Sequence, residues 1–153
     1  MNKQESQYAL IGFDNTSLLI PQQEVSVVET IDTVEINSDL SSDNVLGYFK
    51  NDMGNWPVFA ISADFTKRDC LIASDRYCIC LQDPDYGQFG IICSAVSSFQ
   101  AEENSLMMHT IAEIMLLPLS PILKLVYYQN YLYLLSNVEK LYGYLIEATS
   151  DGK

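Results

Sequence analysis

Over the first two thirds of the chain, apolar residues alternate with polar ones in short runs broken by turn residues, the period-2 pattern of half-buried strands. "YALIGFD" and "SLLIP" flank the turn triplet Asp14-Asn15-Thr16 and predict a hairpin. "EVSVVETIDTVEI" is rich in Val and Ile and follows Pro21; it reads as a strand, with room for a short helical turn before it. "NSDLSSDN", Asn37 to Asn44, is a loop by composition. "NVLGYFKNDMGNWPVFAISADF" then predicts a second hairpin from Asn44 to Phe65, turning around Gly54, with the sole Trp at the start of its second strand. A polar "TKRD" corner leads to the strand "RYCICLQ", the turn "DPDYG" and the answering strand "QFGIICSAV".

The last third changes period. "ENSLMMHTIAEIMLLP" places Leu106, Met107, Ile111, Ile114 and Met115 at a spacing that predicts a helix over 105–117, ended by Pro118 and Pro121. "ILKLVYYQNYLYLLS" splits at Gln129-Asn130 into another hairpin. "SNVEKLYGYLIEA" predicts a closing helix. Ser136 and Glu139 have capping-box spacing, and Val138, Leu141, Tyr142, Leu145 and Ile146 form one apolar stripe. Gly143 weakens that helix by about 1 kcal/mol relative to Ala. Trp56, an apolar residue entering a strand beside Pro57, is expected in the core.

Charge narrows the function classes. With 20 acidic against 8 basic residues the net charge is −12, which argues against nucleic acid and against an anionic membrane surface. The acids are expected mainly as a solvated surface. No apolar run has the length of a membrane helix, and "MNKQESQYAL" lacks a signal-peptide pattern, so the expected location is cytoplasmic.

Candidate chemistry is sparse. Cys78 and Cys80 lie two apart in a predicted strand and so share a face. With Cys70 and Cys93 they lack zinc-knuckle spacing, and they read as small buried thiols rather than metal ligands. His109, the single histidine, stands in the predicted helix with no motif partner for nucleophilic catalysis. Asp64, Asp75, Asp83 and Asp85 can supply a carboxylate pair, but all sit in or beside turns, where Asp bonds locally. Gly87 and Gly90 make no phosphate loop. Met107, Met108 and Met115 read as core, or as an adaptable binding face. No catalytic residue, cofactor or metal is assigned. Two readings from other classes stay open: a small enzyme using His109 or the C-x-C thiols, and a small-ligand sensor whose cavity is lined by Tyr127, Tyr128, Tyr131 and Tyr133.

The order of the elements resembles the CheW-like family of small signalling adaptors. "LLIPQQEVSVVETI" matches its opening strand pair and V-x-x-V element at Leu19, Ile20, Pro21, Val25 and Val28. "VLGYFKNDMGNWPVFAISADF" keeps Leu46, Gly47, Gly54, Pro57 and Val58 of the next motif. "RYCICLQDPDYGQFGIICSAV" keeps Gly90 and Val96, and "LSPILKLVYYQNYLYLLSNVEKL" keeps Ser120, Pro121, Ile122 and Leu141. The resemblance runs from Tyr8 to about Ile146. It implies one domain over 8–147, with flexible termini at 1–7 and 148–153. The implied fold is mostly β: two five-stranded SH3-like barrels sharing a hydrophobic core, with a C-terminal helix and with the Asn44–Phe65 hairpin as scaffold of the first barrel.

The implied function is that of a non-catalytic scaffold in a bacterial chemotaxis-type or twitching-type pathway. It would couple a histidine kinase regulatory domain to a receptor cytoplasmic tip, with homo-oligomerisation left open. The family's partner-binding arginine has no equivalent here, since Asp52 and Met53 stand near its place, and two family aspartates appear as Ser94 and Ser136. The implied protein-binding residues are therefore Tyr48, Phe49, Lys50, Asp52 and Met53. The acids Asp32, Glu35, Asp39, Asp43 and Asp52 around them point to a basic partner patch.

Overall fold

Alternation becomes strand almost everywhere it was read. A computed structural model describes residues 5–13, 16–36, 45–51, 54–62, 66–68, 70–102, 107–110 and 121–147. The hairpin of β1 (Glu5–Phe13) and β2 (Thr16–Pro21) forms as expected. So do β5 (Gly47–Asn51) with β6 (Gly54–Ile61), β8 (Tyr77–Asp83) with β9 (Gly87–Cys93), and β12 (Lys124–Tyr128) with β13 (Tyr131–Leu135). Between β12 and β13, Gln129 and Asn130 both take positive φ, 50° and 68°. That is the two-residue turn whose twist suits a hairpin.

Four expectations change. The short helical turn expected after Pro21 forms as a 3-10 turn at Gln22–Glu24, but the Val/Ile-rich run after it is not one strand: a second 3-10 turn at Ile31–Thr33 separates β3 (Val25–Thr30) from β4 (Val34–Ile36). The "TKRD" corner contains a two-residue strand, β7 (Lys67–Arg68), paired with β6. The run "QFGIICSAV" breaks at Ser94, whose N–H and Oγ–H both donate to the Gly12 carbonyl at 2.8 Å, and a further strand, β10 (Ala95–Glu102), pairs with β1. Within the segment read as a helix, Met107–Thr110 is strand β11, paired with β12; 111–117 and the loop 37–44 lie outside the described residues. Pairing along β12 outweighs a helical spacing that only a few apolar residues supported.

The strands form two sheets, ordered β10-β1-β2-β13-β12-β11 and β3-β8-β9-β6-β5-β4, with β7 off the second path. This is the expected two-part β architecture, with more strands per sheet than five because of the unforeseen β7, β10 and β11 and the split of β3 from β4. The Asn44–Phe65 hairpin belongs to the second sheet, which is contiguous in sequence and inserted between β2 and β10, not to the sheet that opens the chain.

Both sheets are wired alike. Reading across each, the neighbours pair antiparallel, antiparallel, parallel, antiparallel, antiparallel. The matching strands are β3 with β10, β4 with β11, β5 with β12, β6 with β13, β8 with β1 and β9 with β2, so one sheet is a circular permutation of the other.

Each sheet must also curl. Six strands laid flat would hold their outer members about 24 Å apart. Yet β3 and β4 are joined by Ile31–Thr33 alone, and β10 and β11 by four residues, a reach of at most roughly 18 Å. The results are half-barrels, each with its own interior. Trp56, Val58, Ala60, Cys78, Cys80, Ile92, Phe49, Leu46 and Val34 fill the second. Leu19, Phe99, Val126 and Leu135 fill the first. The alternate faces of β1, β2, β6, β8 and β9 meet in a shared core, which includes Ile11, Leu18, Phe59, Ile79, Leu81 and Ile91.

The closing helix α1 (Val138–Tyr142) continues as a π-helical turn through Glu147, and its stripe enters that shared core at Val138, Leu141 and Leu145. Its N-cap is Asn137, not Ser136: the Asn137 side chain accepts from the Lys140 N–H at 2.9 Å. Ser136 is buried instead, donating its hydroxyl to the Pro121 carbonyl and its N–H to the Leu19 carbonyl at 3.0 Å. No helix among the described residues is long and apolar enough to cross a membrane.

Candidate interaction surface

The hairpin residues expected at the interface divide by strand alternation. Phe49 points inward, 5 % exposed, and meets the cross-strand Trp56 edge to face at 6.4 Å and 71°. Tyr48 and Lys50 point outward, and Lys50 Nζ lies 2.9 Å from a Glu35 carboxylate oxygen. Both side chains of that ion pair are more than half exposed, so it adds little stability. Asp52 and Met53 lie outside the described residues, as do Asp39 and Asp43. The edge strand β4 approaches β5 so closely that a Cβ on Gly47 would stand 2.2 Å from the Glu35 carbonyl oxygen, which is why a glycine is required there.

Several of the candidate chemical groups are engaged elsewhere. Cys78 and Cys80 do share a face, but that face is the interior of the second half-barrel. A hydrogen bond between the two thiols, and then burial, push the Cys78 pKa far up. Burial, with the Asp75 charge second, pushes Cys93 up to about 12. These two thiols stay protonated at neutral pH, the opposite of what thiol catalysis needs. Asp75 is bound by Arg68, and the Asp83 side chain accepts from the Asp85 N–H at 2.8 Å, the local turn bond expected of it. Asp64 lies outside the described residues. His109 sits in β11 opposite Leu125. Among the described residues no three His, Cys, Asp or Glu side chains converge as a metal site.

The strand tyrosines divide between packing and solvent. Tyr128 and Tyr133 meet Phe99 edge to face with ring centroids 5.3 and 5.1 Å apart, while Tyr127 and Tyr131 face solvent.

The concave feature lies at the seam between the two sheets. An open cleft of about 390 Å³ is lined by Tyr8, Ala9, Val96, Ser97 and Ser98 from β1 and β10, by Val25, Val28 and Tyr77 from β3 and β8, and by Gln22. In a chain of net charge −12, not one lining residue is charged. The cleft inherits the matched wiring. Its walls are the matching strand pairs β1–β10 and β8–β3, with Tyr8 opposite Pro21 and Tyr77 opposite Cys93. Val25 and Val28, three apart, would face opposite ways in a regular strand. A bulge between Val25 and Val27 shifts the register and lets both line the cleft. In the sequence Val25 and Val28 were marked only through the resemblance, as its V-x-x-V element; they, Tyr8, Tyr77 and Val96 were not singled out as a site, because only the pairing of distant strands brings them together.

No protein-family model and no curated protein matches the chain. Among solved structures it is similar to the crystal structure of the scaffolding protein TtCheW from Thermoanaerobacter tengcongensis. The TM-score is 0.66 at 13 % sequence identity, covering 87 % of this chain and 89 % of that one. The likeness is one of fold: a CheW-like arrangement of two β subdomains.

Proposed function

We propose that the chain is a non-catalytic adaptor of a bacterial chemotaxis-type or twitching-type signalling pathway, working in the cytoplasm as a single domain over 8–147. It would bring a histidine kinase regulatory domain together with a receptor cytoplasmic tip. The observation that carries this reading is the uncharged cleft at the seam of the two sheets. It is open, its walls include β3 and β10, and these are the outer strands of their sheets. An outer strand has a row of backbone donors and acceptors without a neighbour in its own sheet, a ready template for a partner, and Val25, Val28 and Val96 supply apolar contact beside it.

Tyr48 and Lys50, with Asp52 and Met53, form a second contact in this proposal; Phe49 supports Tyr48 and Lys50 from inside. The Glu35 carboxylate beside them, with the exposed acid Asp32 in the turn before β4, favours a basic partner patch and would raise the association rate more than the affinity.

The test uses the purified protein against two recombinant probes from its own organism, a histidine kinase regulatory domain and a receptor cytoplasmic tip. Wild type should bind at least one, and Val28→Asp should weaken that binding at least about tenfold with the melting temperature kept. Binding unaffected by Val28→Asp, or a wild type that binds neither probe, would overturn the reading.

A further inference from the structure

The segment between β6 and β8 holds a preformed loop to which the adaptor reading assigns no role. Arg68 and Asp75 make a two-pronged ion pair, Nη2 to Oδ1 at 3.0 Å and Nη1 to Oδ2 at 3.2 Å, with side chains only 14 % and 4 % exposed. The same carboxylate accepts from the Ile72 N–H at 2.7 Å, and Arg68 Nη1 donates to the Cys70 carbonyl at 2.7 Å. The Asp75 N–H closes a turn on the Ile72 carbonyl at 3.1 Å. Arg76 fixes the far end: its N–H donates to the Cys93 carbonyl at 3.0 Å, and its carbonyl accepts from the Ile31 N–H at 2.9 Å. At the near end Lys67 Nζ donates to the Leu145 carbonyl at 2.8 Å.

A buried ion pair adds little net stability, because desolvation opposes the attraction; what this one fixes is a conformation. That conformation displays Leu71 and Ile72, 37 % and 43 % exposed, at the entry to the Ile72–Asp75 turn. The matched wiring supplies a control. Helix α1 follows β13 as the segment 62–76 follows β6, and α1 buries its apolar residues Val138, Leu141 and Leu145 completely. The loop leaves its apolar pair uncovered. Lys67, Arg68 and Arg76 are three of the eight basic residues of a strongly acidic chain, and Arg76 is exposed. The next residue, Tyr77, lines the cleft.

We infer that Cys70–Arg76 is a second preformed contact, continuous with the cleft through Tyr77, for an acidic partner surface that carries exposed aliphatic side chains. Leu71 and Ile72 are its apolar anchors and Arg76 meets the partner's carboxylate. The inference rests on the adaptor reading and adds to it a recognition element beyond the cleft. A loop already held in its bound shape loses little entropy on docking, which favours affinity.

Cys70 is exposed while Cys78, Cys80 and Cys93 are buried, so a maleimide acting on the folded protein reads Cys70. Its modification rate is measured with and without the same two probes at saturation. Affinities are then measured for a Leu71→Ser/Ile72→Ser double variant and for Arg76→Gln at low and high salt. We expect the bound probe to slow Cys70 modification at least about fivefold. The double variant should bind at least about tenfold weaker with an unchanged melting temperature, and Arg76→Gln should flatten the salt dependence. An unprotected Cys70 together with wild-type affinity in the double variant, while Val28→Asp still releases the probe, overturns this inference and leaves the adaptor reading standing. If wild type binds neither probe, both fall. Self-association of wild type that the double variant abolishes would assign the loop to a second copy and also overturn the inference.

Discussion

Trp56 and Tyr131 occupy matching places on the matching strands of the two sheets, yet one is 0 % exposed and the other 68 %. The match follows from the register. Phe59 of β6 faces the shared core beside Ile91, as Leu134 of β13 does beside Leu18; three residues earlier stand Trp56 and Tyr131. Each faces an aromatic across its hairpin, Phe49 and Tyr128. In the second half-barrel that pair is sealed by Val34, Leu46 and the small thiols Cys78 and Cys80. In the first, Phe99 takes the centre, Tyr128 and Tyr133 meet it edge to face, and Tyr131 remains in water. Identical strand wiring therefore does not determine how deep an interior is. Side-chain chemistry decides that: an indole enclosed by aliphatics goes fully under, whereas a tyrosine ring can end at the solvent with its hydroxyl hydrated.

The sharpest way to break this comparison is to truncate both members. Trp56→Ala should cost about 3–5 kcal/mol, the range for emptying a large aromatic site. Tyr131→Ala should stay within about 0.5 kcal/mol, as a surface change does. Denaturant melts of the two variants decide it, and equal losses would mean that the half-barrels are filled alike.

A smaller effect probes how tightly the second interior is fitted. A Cβ on Gly90 would lie 2.7 Å from Cys78 Sγ and 3.2 Å from Val58 Cγ2, so Gly90→Ala should cost about 1–3 kcal/mol by overpacking. Removing the sulfur with Cys78→Ala should relieve much of that, making the double variant clearly more stable than the sum of the singles implies. Strict additivity would show that the strand, not the thiol, sets the limit.

Legibility in the sequence tracks how local the cause is. The four hairpins were readable because their turns are written in adjacent residues, such as Asp83 to Gly87, whose turn also carries the Asp83 side-chain bond to the Asp85 N–H. The helix stripe was readable for the same reason. The cap slipped by one residue, because Ser136 is claimed by Pro121 and Leu19, both distant in sequence. The break at Ser94 depends on the Gly12 carbonyl, the parallel joins β2–β13 and β6–β9 link segments far apart, and β11 exists through its pairing with β12. Of the cleft, Val25 and Val28 were marked only as matches to the family's V-x-x-V element, and the bulge that turns both into the cleft left no mark. Nor did the hairpin's pattern say that Phe49, unlike Tyr48, would turn inward. Leu71 and Ile72 lie between the "TKRD" corner and the strand "RYCICLQ", in a stretch whose pattern assigned no element.

About 1 kcal/mol is at stake at Asn137, whose side chain caps α1; Asn137→Ala should lower the melting temperature, while Ser at that place should nearly restore it. If Asn137→Ala is silent, the helix is held by its buried stripe alone and the cap is incidental.

The smallest expected effect concerns the seam itself. Glu24 lies in the 3-10 turn that carries the chain from the first sheet to the second, and its carboxylate accepts from the Val138 N–H at 2.9 Å, at the start of α1. Burial raises its pKa above the ordinary 4.5; the bond from Val138 opposes the shift, and the charges of Asp83 and Glu139 add to it. The folded state thus holds the Glu24 proton more tightly than the unfolded chain does. Between 4.5 and the raised folded value the native state binds more protons, so this group's contribution to stability falls as pH rises through that window and returns as pH falls. Glu24→Gln keeps an oxygen for the Val138 N–H and removes the charge. The difference in unfolding free energy between the variant and wild type should therefore grow in the variant's favour from acid to neutral pH, then level off. Paired denaturant titrations from pH 4 to pH 8 measure it. A difference that stays flat, or that favours wild type more as pH rises, would show that ionised Glu24 strengthens the seam.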